Sequence, residues 1–580
     1  MSPFVELAVV LLLLLLALRS RKGAAPEQRF VGRELRRLAY RRGLAVLLCG
    51  LAGLAASAWV TVALGRPEPN VQDEYSNLLL ADTLAHGRLA NPTHPFWHHF
   101  EAFQVIQQPT YASKYPPAQG LFLAAGQVLT GQPIVGVWLS MGLACAALCW
   151  ALQAWFPPRW ALIGTLLLSA RLIGSGHPFG RHDMCWGYWA RGYWGGAVAA
   201  LGGALLYGGL RRLIEQRRAR YAVVLAVGLA LLANSRPYEG FLVSLPAAAV
   251  LAGWALGRNR PPLALVLTRV VLPVLLVLVP TALAMAAYNR AVTGDPLRMP
   301  YAVHEQAYAA NPMFVWQTPG PVPEYRHRVM ALFHAGWVRD LFFAHRSPAA
   351  FVRYAIDGIQ SVLLFYLGVW LVVAVLALRH AKPCPWVRLA GAGCLVLWLG
   401  VLQVYCFASH YVAPAVVLIA VLVVAGLRQV YVFRWRGRRV GRALVCSLCL
   451  GYPLAMALSG LTDPGTPADA THMRRAALQR QFEREGGKHL ILVRYSCPFP
   501  NGLGHEDWVF NGADIDGAAV VWAREIGPEE DRRLLEYFGD RRAWLVEVRA
   551  VEGTFRLTPH PLRPGPSAPN EPPGPSASAR

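Results

Sequence analysis

The stretch Asn70-Val71-Gln72-Asp73-Glu74-Tyr75 sets an adjacent acidic pair just beyond an apolar segment of residues 44–64. That segment matches the roughly 20 residues an α-helix needs to cross a bilayer. Arg33, Arg36, Arg37, Arg41 and Arg42 flank its start. Basic loops stay cytoplasmic, so this span runs outward and delivers residues 65–116 to the extracytoplasmic face. Residues 4–18 form an earlier apolar run, with no basic residue before it and Arg19, Arg21 and Lys22 after it. A secretory signal carries its charge in front, so residues 1–43 read as an N-terminal anchor helix followed by a basic cytoplasmic segment.

The same pattern recurs along the chain. Of 580 residues, 55% are hydrophobic and 15% charged, and the apolar ones gather in runs of span length. A net charge of +23 would suggest a nucleic-acid partner in a soluble protein. Here Lys and Arg cluster in short loops between apolar runs, which is membrane topology and excludes nucleic acid. Apolar runs lie near 193–209, 221–234, 241–257, 264–287, 358–378, 389–407, 412–427 and 443–459, and basic loops separate alternate pairs. Arg217 and Arg436 fall in cytoplasmic loops, as Arg37 does, while Asp73, His182, Arg236, His304 and Trp508 fall outside. The fold class this predicts is an all-α polytopic membrane protein of about 12 transmembrane helices with a small C-terminal α/β soluble domain.

Residues 117–131, 134–155 and 160–175 are three apolar stretches between two outward loops, which requires an even number of crossings. The stretch 117–131, short and opened by Pro116-Pro117, is the one expected not to span. The transmembrane catalytic domain then covers 44–460, with outward loops at 65–116, 176–192 and 288–357. The last of these, aromatic-rich and too long for a bare connection, is expected to fold over the site. Beyond 460, residues 489–494 and 543–548 read as strands and 529–538 as a helix, giving a small extracytoplasmic α/β domain over 461–560. The Pro- and Ser-rich tail, 561–580, reads as disordered.

Several outward loops carry groups that converge on one chemistry. Lys114-Tyr115-Pro116-Pro117 precedes an apolar stretch, His182-Asp183 and Arg191 share an aromatic loop, Arg236-Pro237-Tyr238-Glu239-Gly240 caps a span, and His410-Tyr411 sits at another span end. Any one of them serves equally well as an interfacial anchor. Acids and bases gathered from several loops read as a site. The set suits glycosyl transfer from a phosphate-linked lipid carrier: a carboxylate takes the proton of an acceptor hydroxyl, and Lys or Arg neutralises the leaving phosphate. There is no Gly-rich loop of the kind that cradles a soluble nucleotide.

The acidic pair after the first full span, the Lys-Tyr-Pro-Pro entry, the Arg-Pro-Tyr-Glu-Gly cap and the His-Tyr-Val-Ala-Pro stretch resemble the GT-C superfamily of integral-membrane glycosyltransferases. Within it the sequence is similar to the glycosyltransferase family 39 type, which includes protein O-mannosyltransferases and lipid A aminoarabinose transferases. The resemblance covers about residues 44–460. It implies Asp73 as catalytic base with Glu74 beside it, and Asp183 as a second acid, although its His-Asp-Met-Cys setting departs from the family pattern. Lys114, Arg191, Arg236, His410 and Tyr411 would meet the donor phosphate. It further implies a polyprenyl-phosphate sugar donor, a lipid, glycan or protein acceptor, inversion at the sugar, and an extracytoplasmic active site on the cytoplasmic (inner) membrane. Some members bind a divalent cation and others do not; Asp73, Glu74, His182 and Asp183 are its candidate ligands, and no compact motif demands it. The alternative is a transporter or flippase, which would bury charge within spans and repeat its halves. Arg171 and Arg269 are the main intramembrane charges, and neither half repeats the other.

Overall fold

The structure, a computed structural model, describes residues 8–15, 26–174, 187–258, 260–380, 384–461, 471–496, 507–549 and 554–561. Among them, eight helices are long and apolar enough to cross a membrane: Arg42–Leu64, Ile134–Trp155, Gly196–Gln216, Pro237–Leu256, Leu263–Thr293, Pro348–Leu367, Ser409–Val432 and Val440–Leu458. Ala219–Ala233 and Pro385–Val401 are shorter apolar helices. The chain is thus a polytopic helical membrane protein ending in a small α/β unit, the class that hydropathy predicts. Residues 8–15 are helical and meet Gly451 of the last span through Val10 and Leu13. The basic segment after them forms the helix Pro26–Tyr40, whose end shares a small core with Cys49, Cys149 and Leu162.

Two helices form the interior of the bundle. Gly196–Gln216 and Ser409–Val432 are more than four-fifths buried over their apolar windows, whereas Leu263–Thr293 is 11% buried and lies at the edge. Small residues let the inner pair approach closely. A Cβ on Gly203 would fall 1.9 Å from the carbonyl oxygen of Pro414, so only glycine seats the turn that carries His410 and Tyr411. The 14-residue helix Pro117–Thr130 is about 21 Å long, against a hydrocarbon core of about 30 Å. It turns back at Gly131, in the left-handed region at φ 72°, into Ile134–Trp155.

The long loop begins and ends elsewhere than hydropathy suggests. Leu263–Thr293 and Pro348–Leu367 take residues from both of its ends. Pro348–Val362 carries Arg353 and Asp357, which dilute its apolar content, but Val352, Ile356 and Ile359 lie on one exposed face at helical spacing. An amphipathic turn of this kind extends a span without lengthening its apolar run. The shortened loop folds into Pro300–Tyr308 and a helix from Arg328 to Ala344.

The first loop, the long loop and the C-terminal unit share cores. In the C-terminal unit His489–Ser496 is flanked by Val520–Arg524 and Arg542–Arg549, both parallel to it, and Thr554–Pro559 pairs antiparallel at the edge. One face of this sheet packs on Leu478 and Phe482 of Thr471–Glu485. The other packs Leu490, Leu492 and Val521 against Leu79, Phe100, Val105 and Tyr111 of the first loop. Phe103 of that loop also joins Tyr308, Met330 and Phe333 of the long loop. The first loop, the long loop and the C-terminal unit therefore pack together. Arg42, Arg212 and Gln216 line a shared groove with Tyr221.

Candidate functional site

Asp73 and Glu74 open the helix Gln72–Ala85. Carboxylates are favoured there because the first turn exposes unpaired N–H groups and the positive end of the helix dipole. The helix is locked to the strand that follows it in the loop: the Ser76 hydroxyl donates to the carbonyl of Gln104 at 2.6 Å and lies 2.7 Å from the hydroxyl of Ser113. Thr110–Ser113 pairs antiparallel with Val105–Ile106, and the chain leaving it carries Lys114 to Glu305 and Tyr115 to Asp73. Tyr115 donates its phenolic hydrogen to Asp73 Oδ1. Oδ2 of Asp73 has no hydrogen-bond partner among the described residues.

Around Asp73 stand groups from three more elements. Arg236, at the mouth of Pro237–Leu256, lies over the Tyr411 ring at 5.0 Å and 4.0 Å from Glu239. Burial pushes its guanidinium down, and its neighbours, the Glu239 carboxylate first, together more than restore it. Pro300–Tyr308 contributes Tyr301, His304 and Glu305, three side chains at the i, i+3, i+4 spacing of one helix face. Lys114 Nζ lies 3.4 Å from Glu305 Oε1 and 4.6 Å from the centre of the Tyr301 ring. Burial alone would raise the Glu305 carboxyl, but Lys114 and His304 hold it at about 2. The His304 imidazole is pushed down to about 4, first by burial and then by Lys114. Beside this cluster opens a cavity of about 410 Å³ lined by Trp97, Glu101, Gln107, His304, Tyr308 and Tyr325, among others.

The remaining residues singled out in the sequence are placed differently. Glu74 points away from Asp73, since neighbours on a helix diverge by about 100°. Its carboxylate accepts from the backbone N–H of Asn70 at 2.9 Å and of Tyr193 at 2.7 Å. Burial raises it to about 7, against the pull of those donors. Arg191 donates to the carbonyls of Leu64 and Gly65 and so caps the first span. His410 is buried 2.9 Å from the Tyr188 hydroxyl and edge-on to Trp194. His182 and Asp183 lie outside the described residues. Arg171, one of the two intramembrane charges, donates to the carbonyls of Leu364 and Phe365.

The structure thus gathers Asp73, Lys114, Arg236 and Tyr411, and adds Tyr115, Glu239, Tyr301 and Glu305, which the sequence reading did not assign. Tyr115 had a signal, its place in Lys-Tyr-Pro-Pro. Glu305 had only the helical spacing to Tyr301 on the far side of a span. The arrangement offers a carboxylate held by a phenol, with its second oxygen unpartnered among the described residues, and a guanidinium in the same cluster over the Tyr411 ring, at the rim of an apolar bundle.

Comparison with protein-family models and with curated proteins finds no match to this sequence. Among solved structures the chain is similar to ArnT from Cupriavidus metallidurans, whose crystal structures include one in the apo state and one bound to undecaprenyl phosphate. Identity is 13%, over 86% of this chain and 92% of that one, with a TM-score of 0.46. It is also similar to the archaeal oligosaccharyltransferase AglB from Archaeoglobus fulgidus in complex with an inhibitory peptide and a dolichol-phosphate, at 13% identity over 88% of this chain and 74% of that one, with a TM-score of 0.38.

Proposed function

We propose that the protein is a membrane glycosyltransferase that moves a sugar from a polyprenyl-phosphate donor to an acceptor hydroxyl on the extracytoplasmic side. The observation that carries this reading is that Oδ2 of Asp73, which has no hydrogen-bond partner among the described residues, belongs to the same charged cluster as Arg236 at the mouth of the bundle. A general base and a phosphate-binding cation are then within one site. Asp73 removes the acceptor proton as the acceptor oxygen attacks the anomeric carbon from the face opposite the phosphate, inverting it. Arg236 takes the departing phosphate, for which a guanidinium fork is the best fit. Lys114 is already paired with Glu305, so it supports the phosphate only where that pair opens. Glu74, held by backbone donors, orients the helix that presents Asp73. The 410 Å³ cavity, with Trp97, Tyr308 and Tyr325 beside carboxylates, has the mixture of flat apolar faces and hydrogen-bonding groups that suits an acceptor rich in hydroxyls.

The experiment is transfer of labelled sugar from a polyprenyl-phosphate donor by the purified protein in detergent, with lipid, glycan and peptide acceptors offered in parallel. Label moving to any acceptor supports the reading. Translocation of the intact donor across a proteoliposome membrane, with no transfer, would favour a flippase instead.

A further inference from the structure

The first loop and the C-terminal unit meet at a second cluster, far in chemistry from the Asp73 site. Trp97–Phe100 is a single helical turn carrying His98 and His99, and Glu530 stands in the first turn of Pro528–Tyr537. One ring nitrogen of each histidine and one carboxylate oxygen of Glu530 lie within 4.8 Å of one another. His98 Nε2 is 3.4 Å from Glu530 Oε2. That separation is the edge of a zinc tetrahedron, since Zn–N and Zn–O bonds of about 2.0–2.2 Å subtend about 3.4 Å. The other oxygen of Glu530 faces Arg533 at 3.3 Å.

His99 supplies an independent sign. Its side chain is fully buried, and its Nδ1 lies 2.8 Å from the carbonyl oxygen of Arg524. A carbonyl can only accept, so Nδ1 carries the proton and Nε2 is left with a bare lone pair. That Nε2 is buried with no hydrogen-bond partner among the described residues. A buried ring nitrogen left unsatisfied is costly unless something binds it. A carbonyl fixing the opposite nitrogen is the usual second partner of a metal-bound imidazole. Asp531 Oδ1, 3.9 Å from His99 Nδ1, is occupied by the N–H of Ile526.

We propose that His98, His99 and Glu530 form a binding site for a divalent transition metal of the zinc class, which fastens the C-terminal unit to the first outward loop. Two imidazoles and one carboxylate are borderline N/O ligands suited to zinc, and the partly exposed His98 and Glu530 leave its remaining position to solvent. The metal lies apart from Asp73 and is structural, so its test does not depend on sugar transfer.

The full chain, purified in detergent, is stripped with a chelator, reloaded with zinc, washed, and assayed for bound metal by mass spectrometry and for thermal unfolding. The expected result is one zinc retained per chain, with a melting temperature that falls on stripping and recovers on reloading. The variant carrying His98→Ala and Glu530→Gln should retain none and melt at one temperature in either state; Asp73→Asn should retain metal as wild type does. X-ray absorption at the zinc edge of the wild-type protein, which needs no variant, should show two imidazole ligands. Wild-type protein that retains no zinc, a double variant that keeps it, or an edge spectrum without imidazole would each overturn the assignment and leave His98–Glu530 as an ion pair.

Discussion

Replacing Asp73 by Asn tests the proposed chemistry with little disturbance of the fold. Asparagine has the same shape, and its Oδ1 can still accept the Tyr115 hydroxyl that now meets Asp73. The Asn77 side chain bonds only the backbone carbonyl at position 73, at 2.9 Å, and is untouched. What disappears is the proton acceptor at Oδ2. General-base catalysis contributes typically about 100-fold to 10,000-fold, or about 2.7–5.5 kcal/mol of barrier. Single-turnover transfer should therefore fall by at least about 100-fold, while the dissociation constant for donor stays within about threefold, because Arg236 remains in place. Tyr115→Phe provides the graded control. It removes one charge-assisted hydrogen bond, worth about 1.5–3 kcal/mol, so the base is kept but no longer fixed. Its rate should lie between wild type and Asp73→Asn. Both variants are scored per folded molecule by gel filtration and thermal unfolding in detergent. If folded Asp73→Asn protein transfers sugar at the wild-type rate, Asp73 is not the base and the site has been read wrongly.

Arg236→Ala should raise the donor dissociation constant by about 10-fold to 100-fold, the loss of a charge-assisted phosphate contact, with Arg236→Lys recovering part of it; binding of unmodified polyprenyl phosphate measures this directly. The Glu74 carboxyl is raised from 4.5 to about 7 in the folded protein, so the fold binds its proton more tightly than the unfolded chain does. This contribution to stability is full below about pH 4.5 and lost as pH rises through about 7, by up to about 3 kcal/mol. Glu74→Gln should flatten that part of the melting-temperature profile while leaving turnover per folded molecule nearly unchanged. Arg524 Nη2 and Asp507 Oδ2 form a buried pair at 2.6 Å, and Arg524 also donates to the carbonyl of Glu101 at 2.6 Å. Asp507→Ala strands that buried charge at a cost of about 3–5 kcal/mol, and limited proteolysis should then release the C-terminal unit at protease levels the wild type withstands.

What could be read from the sequence and what could not divide along one physical line. Hydrophobic burial in a membrane is a property of segments, so apolar runs and the Arg-rich loops between them show the architecture directly. Where a span is built from an amphipathic turn, as at Pro348–Val362, the run shortens and the boundary is misplaced by about ten residues. Side-chain roles depend on what lies across the fold. Asp73 and Glu74 look equivalent in the sequence, yet one faces Tyr115 and the other is claimed by the N–H of Tyr193, a residue 119 positions away. No local pattern distinguishes them, because the helix sends neighbours in different directions and the loop that decides between them is remote. The C-terminal unit shows the same limit. Its strands were visible in the alternation of residues 489–494 and 543–548, but Leu490, Leu492 and Val521 are completed by Leu79, Phe100 and Val105 from the other end of the chain. A sheet face reads as apolar whatever covers it. That the cover is the loop carrying Asp73 makes the C-terminal unit part of the frame around that residue, and places the cost of losing it on the geometry of the Asp73 cluster rather than on an appended domain.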